Sequence, residues 1–215
     1  MSLRTLYRLS ATALLIGSLF FSIGIAMRIV LFFPDLGNVA QIRNPLWVPV
    51  SVGIFSGFLL LAAGLPGMYT YQTIRTGWLG LVGFVLTFFG VILFSGLYVV
   101  DFAVLPGLVP EASRLAAGHL PPITGLEYVY RVAVGMLFGG FAVLGSAVVS
   151  TDVPSRWAGW LLIGGVFIGL AYSLPLPAVV IELIAIAENV LPVLGLGCIG
   201  YTLWSDAARV HTSLV

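Results

Sequence analysis

The feature that most constrains this chain is a series of uncharged apolar runs, each about as long as a helix needs to cross roughly 30 Å of hydrocarbon. The runs recur along all 215 residues, of which only 8% are charged. A soluble domain has about 25% charged residues. The sequence therefore predicts an all-α integral membrane protein with a single domain over residues 1–215.

Six transmembrane helices in one compact bundle account for the apolar runs. The first run follows Arg4 and Arg8, as in a signal peptide, but no small-x-small cleavage site comes after it. We therefore interpret it as a retained span. The predicted spans are approximately 9–33, 46–69, 77–100, 127–149, 157–175 and 178–204.

The distribution of arginine predicts the orientation. An even number of spans places both termini on one side, and that side carries five of the nine arginines. Because cytoplasmic loops are enriched in basic residues, we expect both termini in the cytoplasm. The absence of lysine, together with many Arg, Gly, Leu and Val residues, suggests a bacterial source and hence the inner membrane.

The longest polar interruption follows the third predicted span. We expect an outer loop over 101–125, whereas the cytoplasmic loops are short. Within the loop, Pro110 suits the first position of a short helix and Gly118 suits its end. Its apolar residues would share one face, which predicts an interfacial helix. An ordinary loop with one helical turn is the alternative.

Repeated glycine and tryptophan positions favour a parallel hairpin duplication, in which spans 2–3 correspond to spans 4–5. Chance is the alternative, because glycine and tryptophan are common in membrane helices. The matched residues, 79 positions apart, are Trp78, Gly80, Phe88 and Gly90 with Trp157, Gly159, Phe167 and Gly169. In the preceding spans, Gly53 and Gly57 match Gly135 and Gly139 at a spacing of 82. Small-xxx-small pairs, which permit close helix packing, occur at Gly53/Gly57, Gly135/Gly139 and Gly165/Gly169.

Polar side chains at the predicted outer ends of the spans form the candidate site. Asp101 would lie at a helix C-terminus, where the macrodipole disfavours an anion, so we expect Arg28 or Arg131 as its partner. Glu127 and Arg131 have the four-residue spacing of a helical ion pair. The candidate ligand or coupling residues are Arg28, Asp101, Glu127, Arg131, Glu182, Glu188 and Asn189.

Among these residues, Glu188 is the strongest functional candidate. An ionisable group in a membrane span is by default a functional hypothesis, and only 17 residues (189–205) remain to cross the membrane after it. Pro192 predicts a kink close to this carboxylate. The alternative is that the last helix starts near Ala178 and keeps Glu182 and Glu188 in the headgroup region.

Several classes of chemistry find no support in the sequence. The chain has no lysine for a Schiff base, and its only cysteine, Cys198, excludes an intrachain disulfide. Both histidines lie outside the predicted spans, and no catalytic or metal-binding motif occurs. With a net charge of +1 and no basic run, nucleic acid is not an expected partner.

Three functions fit the pattern. The leading hypothesis is a non-enzymatic accessory subunit or small-molecule binding bundle, with no evident cofactor but a bound lipid or pigment, and with membrane lipid, other subunits or a second copy as partners. The alternative is a small proton-coupled transporter with Glu188 and Asp101 as titratable groups. The third is a membrane enzyme that acts on lipid head groups at the outer surface, with His119 and Glu111 as its general acid/base pair.

Overall fold

The computed structural model describes residues 3–32, 38–114, 124–151 and 156–209. These residues form seven helices: α1 (Leu3–Phe32), α2 (Val39–Ile42), α3 (Trp47–Thr73), α4 (Thr76–Pro110, continuing to Arg114), α5 (Thr124–Val149), α6 (Arg156–Gly169) and α7 (Ala178–Arg209).

The all-α membrane bundle is confirmed. Five helices, α1, α3, α4, α5 and α7, are long and apolar enough to cross a membrane. The fifth predicted span, 157–175, corresponds to α6, which has only 14 residues before a 3-10 turn at Leu170–Ser173. The count of six spans therefore stays a prediction.

A single glycine reverses the chain between α3 and α4. Gly77, at the start of α4, has a φ of 54° and a ψ of −145°, a conformation that residues with a Cβ rarely adopt. Residues before the turn pack on residues after it: Tyr69 of α3 stacks on Phe84 of α4 with ring centroids 4.7 Å apart, and Phe58 of α3 stacks on Phe94 of α4 at 5.6 Å. The two helices therefore form an antiparallel hairpin.

The long helices pack as a closed ring. Helices α1 and α3 are in contact, as are α4 and α5, α5 and α6, and α6 and α7, and α7 returns to α1. At that closure, the Ser18 hydroxyl donates a hydrogen bond to the Val193 carbonyl at 2.9 Å. Buried side chains such as Leu14, Leu61 and Leu196 fill the interior.

Glycines mark the closest helix contacts. A Cβ on Gly140 would lie 2.5 Å from the Thr87 backbone nitrogen, and one on Gly90 would lie 2.6 Å from the Leu137 nitrogen. Both contacts join α4 to α5. Only a residue without a side chain permits the two backbones to lie this close. The predicted pair Gly165/Gly169 also packs, against α7.

The other predicted glycine pairs behave differently. Gly57 packs against the Phe21 backbone, but a Cβ on Gly53, Gly135 or Gly139 would meet nothing within 4 Å. Gly57 and Gly139, which the duplication hypothesis matches, thus have unlike surroundings. The Gly135/Gly139 pair does not mediate close packing in the structure, and duplication stays a hypothesis.

The predicted break after residue 100 is wrong. Helix α4 widens there into a π turn, Val100–Val104, in which the Leu105 N–H donates to the Val100 carbonyl. The α-helical conformation then resumes over Leu105–Arg114. Pro106 lacks the N–H that would continue a regular ladder to Phe102, which accounts for the wider turn.

The short helix predicted to begin at Pro110 is therefore the continuation of α4, with Pro110 inside it. Its Val109 is buried in the same core cluster as Val39 and Ile42 of α2. This segment and α2 together cover one end of the bundle. The predicted outer part of the loop, including His119, lies outside the described residues.

Candidate functional site

A cavity of about 970 Å³, here called the cleft, opens between α1, α4, α5, α6 and α7. Five of the seven candidate residues line it: Arg28, Asp101, Glu127, Glu188 and Asn189. The remaining lining residues are Ile25, Ile29, Phe94, Leu97, Tyr98, Leu126, Tyr130, Val134, Phe138, Val166, Gly169, Leu170 and Ala185. The five candidate residues, which come from α1, α4, α5 and α7, therefore line one cavity.

Arg28 and Asp101 form an ion pair at the edge of the cleft. Arg28 Nη1 lies 2.7 Å from Asp101 Oδ2, and the side chains are only 10% and 20% exposed. The same nitrogen donates a hydrogen bond to Ser51 Oγ at 3.2 Å. The expected cationic partner of Asp101 is therefore present, although Asp101 lies in the π turn rather than at a helix end.

Aromatic rings surround the Arg28 guanidinium. Its carbon lies 4.7 Å from the ring centroid of Trp47 and 5.2 Å from that of Tyr98. Cation–π contacts of this kind become stronger when the cation is removed from water. Arg28 is therefore held by charge, by a hydroxyl and by two ring faces.

Trp47 also secures the π turn. Its indole Nε1 donates a hydrogen bond to the backbone carbonyl of Asp101 at 2.9 Å. In a π turn this carbonyl would accept from the residue five positions on, which is Pro106 and has no N–H. Trp47 was not among the residues predicted for the site. The sequence feature that could have indicated its role is Pro106, because a proline five residues after Asp101 leaves the Asp101 carbonyl without its backbone donor.

Glu127 and Arg131 form the predicted helical ion pair on α5. Arg131 Nη2 lies 2.6 Å from Glu127 Oε1. The Arg131 side chain is 72% exposed and that of Glu127 is 54% exposed, so this pair lies at the rim. Arg131 is not among the cleft residues, whereas Glu127 is.

Glu188 lies well inside α7. It comes ten residues after the first residue, Ala178, which corresponds to a rise of about 15 Å. Asn189 Nδ2 donates to Glu188 Oε1 at 3.2 Å and to the Ala185 carbonyl at 2.9 Å. A Cβ on Gly169 would lie 2.6 Å from Glu188 Oε2, so the glycine in α6 leaves room for the carboxylate.

The remaining candidates are not brought into the cleft. Glu182 is half-buried on α7 and does not line it. Pro192 lies within the continuous helix α7, and a Cβ on Gly165 would lie 2.3 Å from its ring. The predicted kink at Pro192 stays a prediction.

The lining of the cleft combines polar and aromatic side chains. Charged and amide groups occupy the end near Asp101 and Glu188, while α4 and α5 contribute aromatic rings, with Phe94 and Tyr130 in edge contact at 5.9 Å. Within the described ranges, no group of three His, Cys, Asp or Glu residues is placed to hold a metal ion.

No protein family model, curated protein or solved structure matches the chain.

Proposed function

We propose that the protein binds an amphiphilic small molecule, such as a lipid or a pigment, in the cleft. The observation that carries this proposal is a cavity of about 970 Å³ whose lining combines charged groups with apolar and aromatic side chains. Ligand sites are typically concave, mostly apolar and of about 300–1,000 Å³, with a few polar groups that fix orientation.

The direction of the helices supports the division into two ends. On α4, Phe94 precedes Asp101 by seven residues, and on α5, Val134 and Phe138 follow Glu127 by seven and eleven. At 1.5 Å per residue, the aromatic wall extends roughly 10–17 Å along the helices from Asp101 and Glu127. An amphiphile would lie along the helices with its polar group beside Asp101, Glu127 and Glu188.

Two valines on α5 provide a matched test. Val134 lines the cleft, whereas Val132 does not line it and is exposed on the surface of the bundle. We expect Val134→Trp to fill the cleft and to abolish binding of a neutral fluorescent amphiphile, N-phenylnaphthylamine, to the purified protein. Val132→Trp should bind like the unmodified protein. Equal binding by the two variants would contradict the proposal.

Proton-coupled transport is the second proposal. Its support is that Asp101 and Glu188, two carboxylates on helices long enough to cross a membrane, line one cleft. Ionisable residues in such positions are frequent in proton relays. In proteoliposomes, a pH gradient should drive uptake of the bound amphiphile, and Glu188→Gln should abolish uptake. Uptake that is unchanged in this variant would argue against transport.

We further propose that the protein lies in a bacterial inner membrane with both termini in the cytoplasm. The five-to-four excess of arginine on the side of the termini supports this orientation. Large apolar side chains on the outer surface, including Leu19, Phe89 and Phe167, fit contact with lipid. An accessory role beside other subunits, or a homo-oligomer, would be tested by cross-linking in native membranes.

A further inference from the structure

The charges that line the cleft do not balance. Asp101, Glu127 and Glu188 contribute three carboxylates, whereas Arg28 is the single guanidinium among the lining residues that the structure describes. Arg131 adds one cation from the surface, where it pairs with Glu127. Among the described residues of the cleft and its rim, three carboxylates thus stand against two guanidiniums, and this excess of negative charge favours a positively charged ligand.

The carboxylates come from three different helices and are held in place. Arg28 pairs with Asp101, and Arg131 pairs with Glu127. The Glu188 carboxylate accepts a hydrogen bond from the neutral amide of Asn189 and lies against Gly169. An amide donor orients a carboxylate without adding a positive charge.

Aromatic rings line the cleft beside these acids. Phe94 and Tyr98 extend from α4, and Tyr130 and Phe138 from α5. The faces of such rings attract cations, most strongly where water is excluded. The protein itself uses this interaction, since the Arg28 guanidinium lies over the ring of Tyr98.

An anionic amphiphile fits the same cleft poorly. Its carboxylate or phosphate would meet three carboxylates of the protein. The one lining guanidinium, that of Arg28, already contacts Asp101, Ser51 and two aromatic rings. Fatty acids and anionic phospholipids are therefore disfavoured by like-charge repulsion.

We infer that the ligand of the cleft is a hydrophobic organic cation, whose charge lies among Asp101, Glu127 and Glu188 and whose body packs on the aromatic wall. This inference rests on the proposed function, because it names the class of amphiphile that the cleft selects. The chemistry that it requires is a permanent or protonated ammonium, or an equivalent onium centre, attached to apolar groups.

Two ions of equal shape and opposite charge test the selectivity. Tetraphenylphosphonium and tetraphenylborate would be titrated into the full-length protein in zwitterionic nanodiscs, with protein-free nanodiscs in parallel because both ions partition into lipid. We expect protein-dependent binding of the phosphonium at least roughly tenfold tighter than that of the borate, because like charges at an interface are strongly disfavoured. Equal or reversed affinities would overturn the inference.

Two glutamates on α7 provide the matched variants. Glu188 lines the cleft and Glu182 does not. Glu188→Gln should weaken phosphonium binding by roughly tenfold, since it removes a nearby charge. Glu182→Gln should bind both probes like the unmodified protein. An equal loss in the two variants would overturn the inference.

The neutral probe separates the two ways of failing. If it binds while phosphonium shows no advantage over borate, the inference of a cationic ligand is wrong and the proposal of an amphiphile site stands. If neither the neutral probe nor either ion shows protein-dependent binding, the amphiphile site itself is wrong, and the inference is overturned with it.

Discussion

Arg28 illustrates how a single charged residue is accommodated in an apolar bundle. A charged side chain at the centre of a bilayer costs about 2.5–3.5 kcal/mol on insertion scales, and less when it is paired or near an interface. Arg28 meets a carboxylate, a hydroxyl and two aromatic rings within one small volume. Its partners come from α3 and α4, so the residue also joins helices that are distant in sequence.

Asp101→Asn should therefore be strongly destabilising. The substitution leaves the Arg28 guanidinium, only 10% exposed, without its anionic partner. Removing one member of a buried pair typically costs about 3–5 kcal/mol. We expect a value near the lower limit, about 3 kcal/mol, because both side chains keep some exposure. Equilibrium unfolding in mild detergent would measure the change.

The rim pair supplies the control. Glu127→Gln breaks a contact between side chains that are 54% and 72% exposed, and exposed pairs contribute about 0–1 kcal/mol. Replacing both members of the buried pair, as in Arg28→Met with Asp101→Leu, should recover much of the stability that Asp101→Asn loses. Equal losses from Asp101→Asn and Glu127→Gln would show that the buried pair has no special weight.

Gly169 should matter for binding more than for folding. A Cβ there would lie 2.6 Å from Glu188 Oε2, the end of a side chain that can move aside. We expect Gly169→Ala to displace the carboxylate and to weaken phosphonium binding severalfold, with little change in unfolding temperature. Gly164→Ala, which adds a methyl group into open space, should alter neither.

Five of the seven polar residues selected from the sequence line the cleft, but the sequence did not predict all of their contacts. Arg28, Asp101 and Glu188 could be placed together because each falls near the same end of an apolar run of known length. The choice of Arg28 over Arg131 depends on side-chain geometry across helices. The roles of Trp47 and Ser51 depend on the same tertiary contacts, which no spacing in the sequence encodes.

At the level of elements, the contact between α4 and α5 depends on glycines that the sequence pattern did not rank correctly. Gly140 meets the backbone of Thr87, whereas its neighbour Gly139 has open space around its α-carbon. The small-xxx-small pattern selected Gly139, because it counts spacing and does not show which side of α5 meets α4.

These adjacent glycines make a matched pair for stability measurements. Gly140→Ala would place a methyl group 2.5 Å from a backbone nitrogen, which does not yield as a side chain does. Overpacking of this kind costs about 1–3 kcal/mol. Gly139→Ala should be neutral or slightly stabilising, because alanine favours helix more than glycine does. Thermal unfolding of the two variants should differ accordingly, and equal stabilities would contradict the packing seen here.

Helix boundaries were predictable where hydropathy decides them. The first span was expected over 9–33, and α1 runs from Leu3 to Phe32; the last was expected to start at 178, as α7 does. The error at residue 100 has a physical origin. Hydropathy reports where a chain leaves apolar surroundings, whereas a helix ends only where its hydrogen bonds end, and those continue past Asp101.

At the scale of the whole molecule, the open question of membrane topology rests on α6. Its 14 residues rise about 21 Å, and the 3-10 turn at Leu170–Ser173 adds about 8 Å. Together these lengths approach the roughly 30 Å of hydrocarbon in a bilayer. The segment is therefore long enough to cross although α6 alone is not.

Cysteine labelling would establish the crossing. In a Cys198→Ser background, which has no other thiol, single cysteines at Thr151 and Leu174 flank the segment. We expect a membrane-impermeant maleimide to label them from opposite faces of sealed vesicles. Labelling of both from one face would show that α6 does not cross, and the six-span arrangement would be wrong.

The helical bundle was predicted from the sequence in outline, because long apolar runs with short connections indicate helices that pack side by side. The cleft could not be predicted from the sequence in the same way. Its volume arises where α1, α4, α5, α6 and α7 diverge, and that divergence depends on the sizes of side chains on facing helices. Fold class is thus encoded locally, whereas the shape of the cavity is a property of the assembled bundle.

The π turn at Val100–Val104 contains one residue more than a regular helical turn requires, because its hydrogen bond closes over five residues rather than four. Deleting Ala103, which is exposed, together with Pro106→Ala, which restores the missing N–H, would convert the turn to ordinary α-helix while the faces before and after it keep their directions. A deletion elsewhere in α4 would rotate all that follows by about 100°. We therefore expect a chain shorter by one residue to assemble the same bundle, with the backbone around Asp101 shifted and the rest of α4 unchanged.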